Sequence, residues 1–428
     1  MSTGFKFLDG GVQKDFADIF NITNPVPGVT TGYKSYVGSY AGKDLGEIFT
    51  AGTGSGKTTN YKYSTNIDLG SIFTLKKSWS ALGSGIDGTP VQVWTIAISG
   101  SNVYIGGQFT TAGGVSAKSI AVWNGTTWSA LGTGITSAYP TVNSIAISGS
   151  NVYVGGYFTS AGGVSVSNIA VWNTSLLAWS ALGNGVYGTT SAQVPTVNSI
   201  AISGSNVYVG GSFSSAGTIS GVNNIAVWNG STWSALGGGG VTGTTYPAVY
   251  SIAISGSNIY TGGQFTTAGI TSGVNNIAVW NSGVWSALGT GITSSGQLIV
   301  DTIAISGSNV YVGGEFTTAG GITGVNNIAV WNTSSVAWSA LGTGVTGGSP
   351  SVVQTIAISN GNVYVGGQFT IAGGISASNI ALFSGTTWNN IGNIANVLSL
   401  AIDNIKVYTG GTFTTAGGVS AKNIAYYN

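Results

Sequence analysis

From Trp79 onward, short stretches in which β-branched or aromatic residues alternate with small polar ones recur in a fixed order. IAIS begins at Ile96, Ile145, Ile200, Ile252, Ile303 and Ile356, with LAID at Leu400. A second stretch, NVYIGG at Asn102 and its relatives, ends in a glycine doublet, from Gly106-Gly107 to Gly410-Gly411. The third, NIAVWN or a variant, has its apolar start at positions running from Ile120 to Ile424. The fourth is WSALG or WNNIG, at Trp79, Trp128, Trp179, Trp233, Trp285, Trp338 and Trp388, and each of the four stretches occurs seven times. Separated by SGSN and NGTT turn chemistry, they predict four antiparallel strands per unit, with a period of about 50 residues.

The ends of the series are offset: it begins on a fourth stretch, at Trp79, and stops after a third, at Tyr427. A linear array has no use for this offset, whereas a ring closes when the early strand completes the last unit. The expected fold is therefore all-β, a seven-bladed β-propeller of four-stranded antiparallel blades, with residues 79–83 pairing onto residues 424–428 and no open edge left. The doublet glycines are expected to serve either a positive φ or close blade packing. Each fourth-strand Trp is expected to wedge between adjacent blades.

The doublet, the apolar third strand, and a Trp seven residues after an aromatic, as in Trp172 to Trp179 and Trp331 to Trp338, resemble the kelch repeat. The fuller string VGGxFTTAGG, NIAVWN, WSALGxG is similar to kelch-like repeats related to the fungal cortical polarity marker, which recur in bacterial surface proteins. This resemblance covers residues 79–428 and implies a fold. It implies no single activity, because propellers host enzymes, adhesins and scaffolds alike.

Residues 1–78 carry a shorter repeat, in residues 4–20, 32–49 and 60–73, with an aromatic-Lys start and an Asp-apolar-x-x-Ile-Phe end. The end predicts one Asp-capped helical turn with an apolar triplet on one face: Phe16, Ile19 and Phe20; Leu45, Ile48 and Phe49; Leu69, Ile72 and Phe73. A single turn is not stable alone, so each triplet must dock on a neighbouring copy, on the C-terminal domain or on another protein. Residues 1–78 are thus expected to form an anchoring and assembly region, and their GYK...DLxxIF segments resemble repeats in large-virus structural proteins. Residues 51–58, AGTGSGKT, match a relaxed Walker A pattern through Lys57 and Thr58. The required buried strand before the loop and helix after it are not predicted, so a Gly/Ser/Thr linker is the better reading.

Composition narrows the chemistry. Of 428 residues 72 are Gly, and the chain has no His and no Cys, while its 11 cations are all Lys. After residue 78 the only charged residues are Lys118, Lys406, Lys422, Asp87, Asp301, Glu315 and Asp403. Such a surface is wetted by Ser, Thr, Asn and Gln, unlike a mixed-charge cytosolic surface. Phosphate neutralisation has little to work with, so no nucleic acid is expected, and no run is long and apolar enough to predict membrane insertion. The N-terminus carries no recognisable secretory signal.

Without His or Cys the usual general base, metal ligand and thiol nucleophile are missing, so no enzyme, cofactor or metal is expected. The copper-oxidase and sialidase branches of propeller chemistry need Cys, His or Arg. A two-carboxylate glycoside hydrolase survives only as Asp301 with Glu315. In an up-down blade the second-to-third loop shares a face with the blade-to-blade connection, whose length varies most. That face is expected to carry Trp94, Tyr139, Tyr187, Gln193, Tyr246 and Gln297, with Gln108, Tyr157, Ser212, Gln264, Glu315, Gln368 and Thr412 after the doublets.

Amide and aromatic side chains on an uncharged platform suit neutral glycans. The expected function is a non-enzymatic structural or adhesive surface protein, a virion or fibre component, extracellular or on the virion surface. Residues 1–78 would join the proteins of a larger assembly, leaving a propeller face available for recognition. A soluble propeller lectin and the two-carboxylate hydrolase are the alternatives.

Overall fold

A computed structural model describes residues 77–189, 193–293, 299–403 and 405–428, together with an N-terminal pair of short strands. The chain divides into two units, Met1–Lys76 and Lys77–Asn428. In the first, Lys6–Asp9 pairs antiparallel with Val12–Asp15, a hairpin that the helical-turn reading of this repeat did not anticipate. The triplets from Phe16 to Phe73 and the Walker-like residues 51–58 lie outside the described residues.

In Lys77–Asn428 every named element is a β-strand. The second sheet along the chain stands for the rest. Thr141–Ser148, Asn151–Tyr157, Ile169–Asn173 and Ala178–Ala181 pair in that order, each antiparallel to the next. Its second-to-third loop folds into the tiny hairpin Ser160–Ala161 and Val164–Ser165, and the connection entering the sheet, Ile135–Thr136, pairs onto that hairpin. The loop and the connection therefore occupy one face, as the strand order predicts. The strand at Trp79–Ala81 pairs with Ile424–Tyr427, Trp79 opposite Tyr427, which supplies the fourth strand of the sheet holding Val397–Ile402 and Val407–Gly411.

The first strands are longer than the IAIS motif. Each begins several residues upstream and contains a bulge, with register shifts at Val93/Thr95, Val142/Ser144, Val197/Ser199, Val249/Ser251, Val300/Thr302, Val353/Thr355 and Val397/Ser399. A bulge inserts one extra residue, so the two inward apolar positions of the strand, such as Val142 and Ile145, stand three apart rather than two. Strict alternation fails there. The extra residue has no partner on the second strand.

The core lies between successive sheets. Tyr104 and Ile120 of one sheet, Leu131 and Ile135 of the connection, and Val142, Val154, Phe158 and Trp179 of the next form one buried cluster. The cluster holding Val93, Ile105 and Trp128 also contains Tyr408 and Ile424, so the last sheet of the chain packs on the first in the same way. The glycine doublets are explained by close approach, not by positive φ. A Cβ on Gly155 would overlap Val197 of the next sheet, and one on Gly156 would overlap the carbonyl of Thr141 at the bulge. Gly410 meets Val93 in the corresponding way.

Each fourth-strand Trp is buried and donates its indole N–H across to the preceding repeat: Trp179 to the Leu131 carbonyl at 2.9 Å, Trp338 to that of Leu288 at 2.8 Å. Trp179 also tilts against Trp172 of its own sheet at 5.4 Å. Packing of this kind, with the donor satisfied, joins sheets that share no strand.

The Asn that opens NIAVWN is a second clamp. Asn168 sits at φ 63, in the left-handed region that Asn tolerates better than most residues. Its Oδ1 accepts the Phe158 N–H at 3.2 Å, and its Nδ2 donates to the Val186 carbonyl of the outgoing connection at 2.9 Å.

Candidate functional site

The seven bulge residues are Trp94, Asn143, Asn198, Tyr250, Asp301, Gln354 and Leu398, one from each four-stranded sheet, and all of them line a single cavity of about 450 Å³. That volume falls within the range of small-ligand sites. All seven side chains are half-buried. The residue after the bulge anchors the wall: Ser144 Oγ accepts the Ile200 N–H at 2.9 Å, Ser199 Oγ that of Ile252 at 3.0 Å, Ser251 Oγ that of Ile303 at 2.9 Å, and Thr355 Oγ1 that of Leu400 at 3.0 Å. Neighbouring first strands are thereby stitched together immediately beneath the bulge side chains.

The bulge amides use their donors in the same stitching. Asn143 Nδ2 donates to the Val197 carbonyl at 3.0 Å, and Asn198 Nδ2 to that of Val249 at 3.1 Å. Asn143 Oδ1 and Gln354 Oε1 are buried without a hydrogen-bond partner among the described residues. The wall is consequently richer in acceptors than in donors. Trp94 and Tyr250 add aromatic faces, and Leu398 adds an apolar one.

Asp301 brings the only carboxyl to these bulge positions. Burial pushes it up to about 7, and the negative charge of Glu315 adds to the shift. Burial likewise raises the Tyr250 hydroxyl, with a further contribution from the charge of Asp301. No hydrogen bond or ion pair ties Asp301 or Glu315 to another side chain among the described residues. Elsewhere carboxylates are satisfied: Asp87 pairs with Lys422 at 3.1 Å, and Asp403 accepts the Ile405 and Lys406 N–H groups and the Tyr408 hydroxyl.

Of the sequence-predicted residues, Trp94 and Asp301 line the cavity. Trp94 belongs to the strand Gln92–Ser99 and not to a connecting loop, a correction that follows from the bulge. The residues after the doublets sit one strand away from the cavity lining, at the end of each second strand. Gln108 pairs with Gln92, Tyr157 with Thr141, Gln264 with Ala248, Glu315 with Ile299 and Gln368 with Val352.

Among the other face residues, Ser212 donates to Gln193 Oε1 at 2.6 Å, which joins a connection to a strand end. Tyr187 donates to the Gly217 carbonyl at 2.7 Å and thereby holds a loop. Tyr139 is 75% exposed on its connection, and Gln297 lies outside the described residues.

Sequence reasoning missed Asn143, Asn198, Tyr250, Gln354 and Leu398. Their signal is a Val recurring three residues before each IAIS or LAID motif, with a different residue immediately after that Val in most copies.

No family model matches the chain, and no curated protein matches it. Solved structures do. The chain is similar to the extracellular domain of the putative one-component system BT4673 from B. thetaiotaomicron, with TM-score 0.51 and 13% identity over 82% of this chain and 39% of that one. It is also similar to the WD40 beta propeller domain of Doa1, with TM-score 0.48 and 12% identity over 82% and 96% of the two chains. The computationally designed Ika8 protein gives TM-score 0.44 and 15% identity over 78% and 83%. With its repeated four-stranded antiparallel sheets, each packed face to face on the next, Lys77–Asn428 is an all-β, propeller-like fold.

Proposed function

We propose that the four-stranded sheets are the seven blades of one closed propeller, and that the protein is a non-enzymatic structural or adhesive surface protein which uses this ring for recognition. The carrying observation is the contrast within each first strand. Val, Ser or Thr, and Ile or Leu repeat around a rigid frame, while the bulge residue between them changes from Trp to Asn, Tyr, Asp, Gln or Leu. Variation along a concave, prebuilt wall of aromatic and amide groups suits selection of a small polar ligand such as a terminal sugar.

Residues 1–78 supply the attachment half of the proposal, through the triplets at Phe16, Ile19, Phe20, Leu45, Ile48, Phe49, Leu69, Ile72 and Phe73. Their partners would be other proteins of a larger assembly, in a virion or fibre. Co-sedimentation of the full chain with such particles, lost when Phe20, Phe49 and Phe73 are replaced by Ser, is the expected result. Equal co-sedimentation of the triple variant would remove the attachment role.

A soluble lectin is the second reading, favoured by the aromatic side chains that Trp94 and Tyr250 bring to the cavity lining. A glycan array probed with the full chain tests ligand recognition, and binding is expected to disappear in Trp94→Ala. A blank array for the wild-type chain would sink the lectin reading. Hydrolysis by Asp301 and Glu315 remains a third reading, since a carboxyl raised to about 7 can hold a proton for a leaving group. Aryl glycoside cleavage that is absent in the wild type, or unchanged in Asp301→Asn and Glu315→Gln, ends it.

A further inference from the structure

We propose that the cavity seats the primary ammonium group of an amino sugar against Asp301. This rests on the recognition reading above and narrows its ligand from neutral glycans to a saccharide with a free amine.

Asn143 and Asn198 direct their N–H groups into the backbone of the neighbouring sheet, at 3.0 and 3.1 Å. This leaves the Asn143 carbonyl oxygen buried with no donor, and Gln354 Oε1 is likewise unpartnered, in two side chains that belong to the cavity wall. Buried acceptors without donors are rare in folded proteins and mark places where something else supplies the hydrogen. Unpartnered carbonyl oxygens in the wall make the surroundings of the cavity electronegative, which disfavours an acceptor-rich anion.

The sign of the charge follows from Asp301 and Glu315. They sit at the same end of one sheet, across the pairing of Ile299 with Glu315, and among the described residues no cation joins them. Among the described residues no lysine pairs with either carboxyl: Lys77 and Lys118 are exposed, Lys422 is engaged with Asp87, and Lys406 lies over the Tyr426 ring at 4.4 Å. The groups facing the Asp301 carboxyl are Glu315, which raises its pKa, and Tyr250, whose hydroxyl is itself shifted upward and stays neutral. A primary ammonium brings one positive charge and three donors to this corner, while Trp94 and Tyr250 offer faces for the sugar ring.

The test uses the full chain and three probes sharing one ring: methyl β-glucosaminide, its N-acetyl derivative and methyl β-glucoside, each titrated by calorimetry at pH 7.5 and pH 5. The free amine is expected to bind at least ten-fold tighter than the other two at pH 7.5. That preference should shrink at pH 5, where Asp301 is protonated. Asp301→Asn should abolish the preference, and Glu315→Gln should reduce it by a smaller factor; melting curves of both variants confirm that the fold is kept.

Equal binding of all three sugars would overturn the ammonium assignment and leave recognition standing. A preference that survives Asp301→Asn would overturn it as well. Binding of none of the three, by a chain that still labels a glycan array, would show that the ring selects another saccharide and would overturn it too.

Discussion

The inner bulge positions and the outer Trp positions occur in the same register of the same repeat, yet they have opposite histories of substitution. At the outer position all seven copies carry Trp. At the inner one the residues are Trp94, Asn143, Asn198, Tyr250, Asp301, Gln354 and Leu398. The outer side chain is buried between sheets with its N–H satisfied by the preceding repeat, so any change leaves a void and an orphaned carbonyl. The inner side chain stands on a bulge, facing a cavity, with no partner across its own sheet. Repetition of sequence therefore reports packing, and its interruption reports where packing makes no demand.

Predictions that break or sharpen this contrast run from large to small. Trp179→Ala should destabilise the fold by about 3–5 kcal/mol in chemical denaturation, because a buried indole and its bridge to Leu131 are both lost. An effect under about 1 kcal/mol would mean that the outer position does not hold the sheets together.

Asp301→Asn should stabilise the protein above pH 7 by an amount of the order of 2 kcal/mol, less than full linkage because the side chain is only half-buried. The sign follows from a carboxyl that is raised on folding, from 3.8 to about 7. Between those values the folded chain keeps a proton that the unfolded chain releases, so stability falls as pH rises through the window. Wild type and variant should coincide near pH 4 and diverge toward pH 7 in melting experiments. Parallel curves would show that Asp301 is no more buried than a surface acid.

Ser199→Ala removes the acceptor for the Ile252 N–H and should cost about 1 kcal/mol, read by the same denaturation assay. Trp94→Ala, at the bulge itself, should change stability by under about 1 kcal/mol while eliminating sugar binding. A large loss of stability there would make Trp94 a packing residue and erase the distinction between the two positions.

The repeat, its four strands and the pairing of Trp79 with Tyr427 were legible because each depends on local pattern: β-branched alternation, turn residues and the phase of the series. The clamp at Asn168 was visible only as a recurring letter, since its role needs the connection that passes over it. The cavity was the least legible feature. Alternation places Val142 and Ile145 on opposite faces of a regular strand, and only the bulge brings both to one face while leaving Asn143 to line the cavity. Trp94 was recognised as a functional candidate from its chemistry but assigned to a loop for the same reason. The positions after the doublets stood out by variability, and they lie beside the cavity lining instead of within it, because the second strands are shielded by the first.

The pairing of Trp79–Ala81 with Ile424–Tyr427 also has a consequence for biosynthesis. Lys422 and Asp87, which meet at that seam, are 335 residues apart in the chain, and the Trp79 indole N–H reaches a carbonyl 312 residues away, that of Ile391. On the ribosome, therefore, the earliest strand of Lys77–Asn428 emerges long before its partner exists. Intermediate sheets can stack as they emerge, but Trp79–Ala81 stays without its strand partner, and the apolar face around Val93 and Ile105 stays uncovered, until Tyr427 has been made. A nascent chain of this kind depends on fast completion or on a protecting factor, and a stalled or truncated product would present an unpaired strand and an open apolar face to every other copy in the cell.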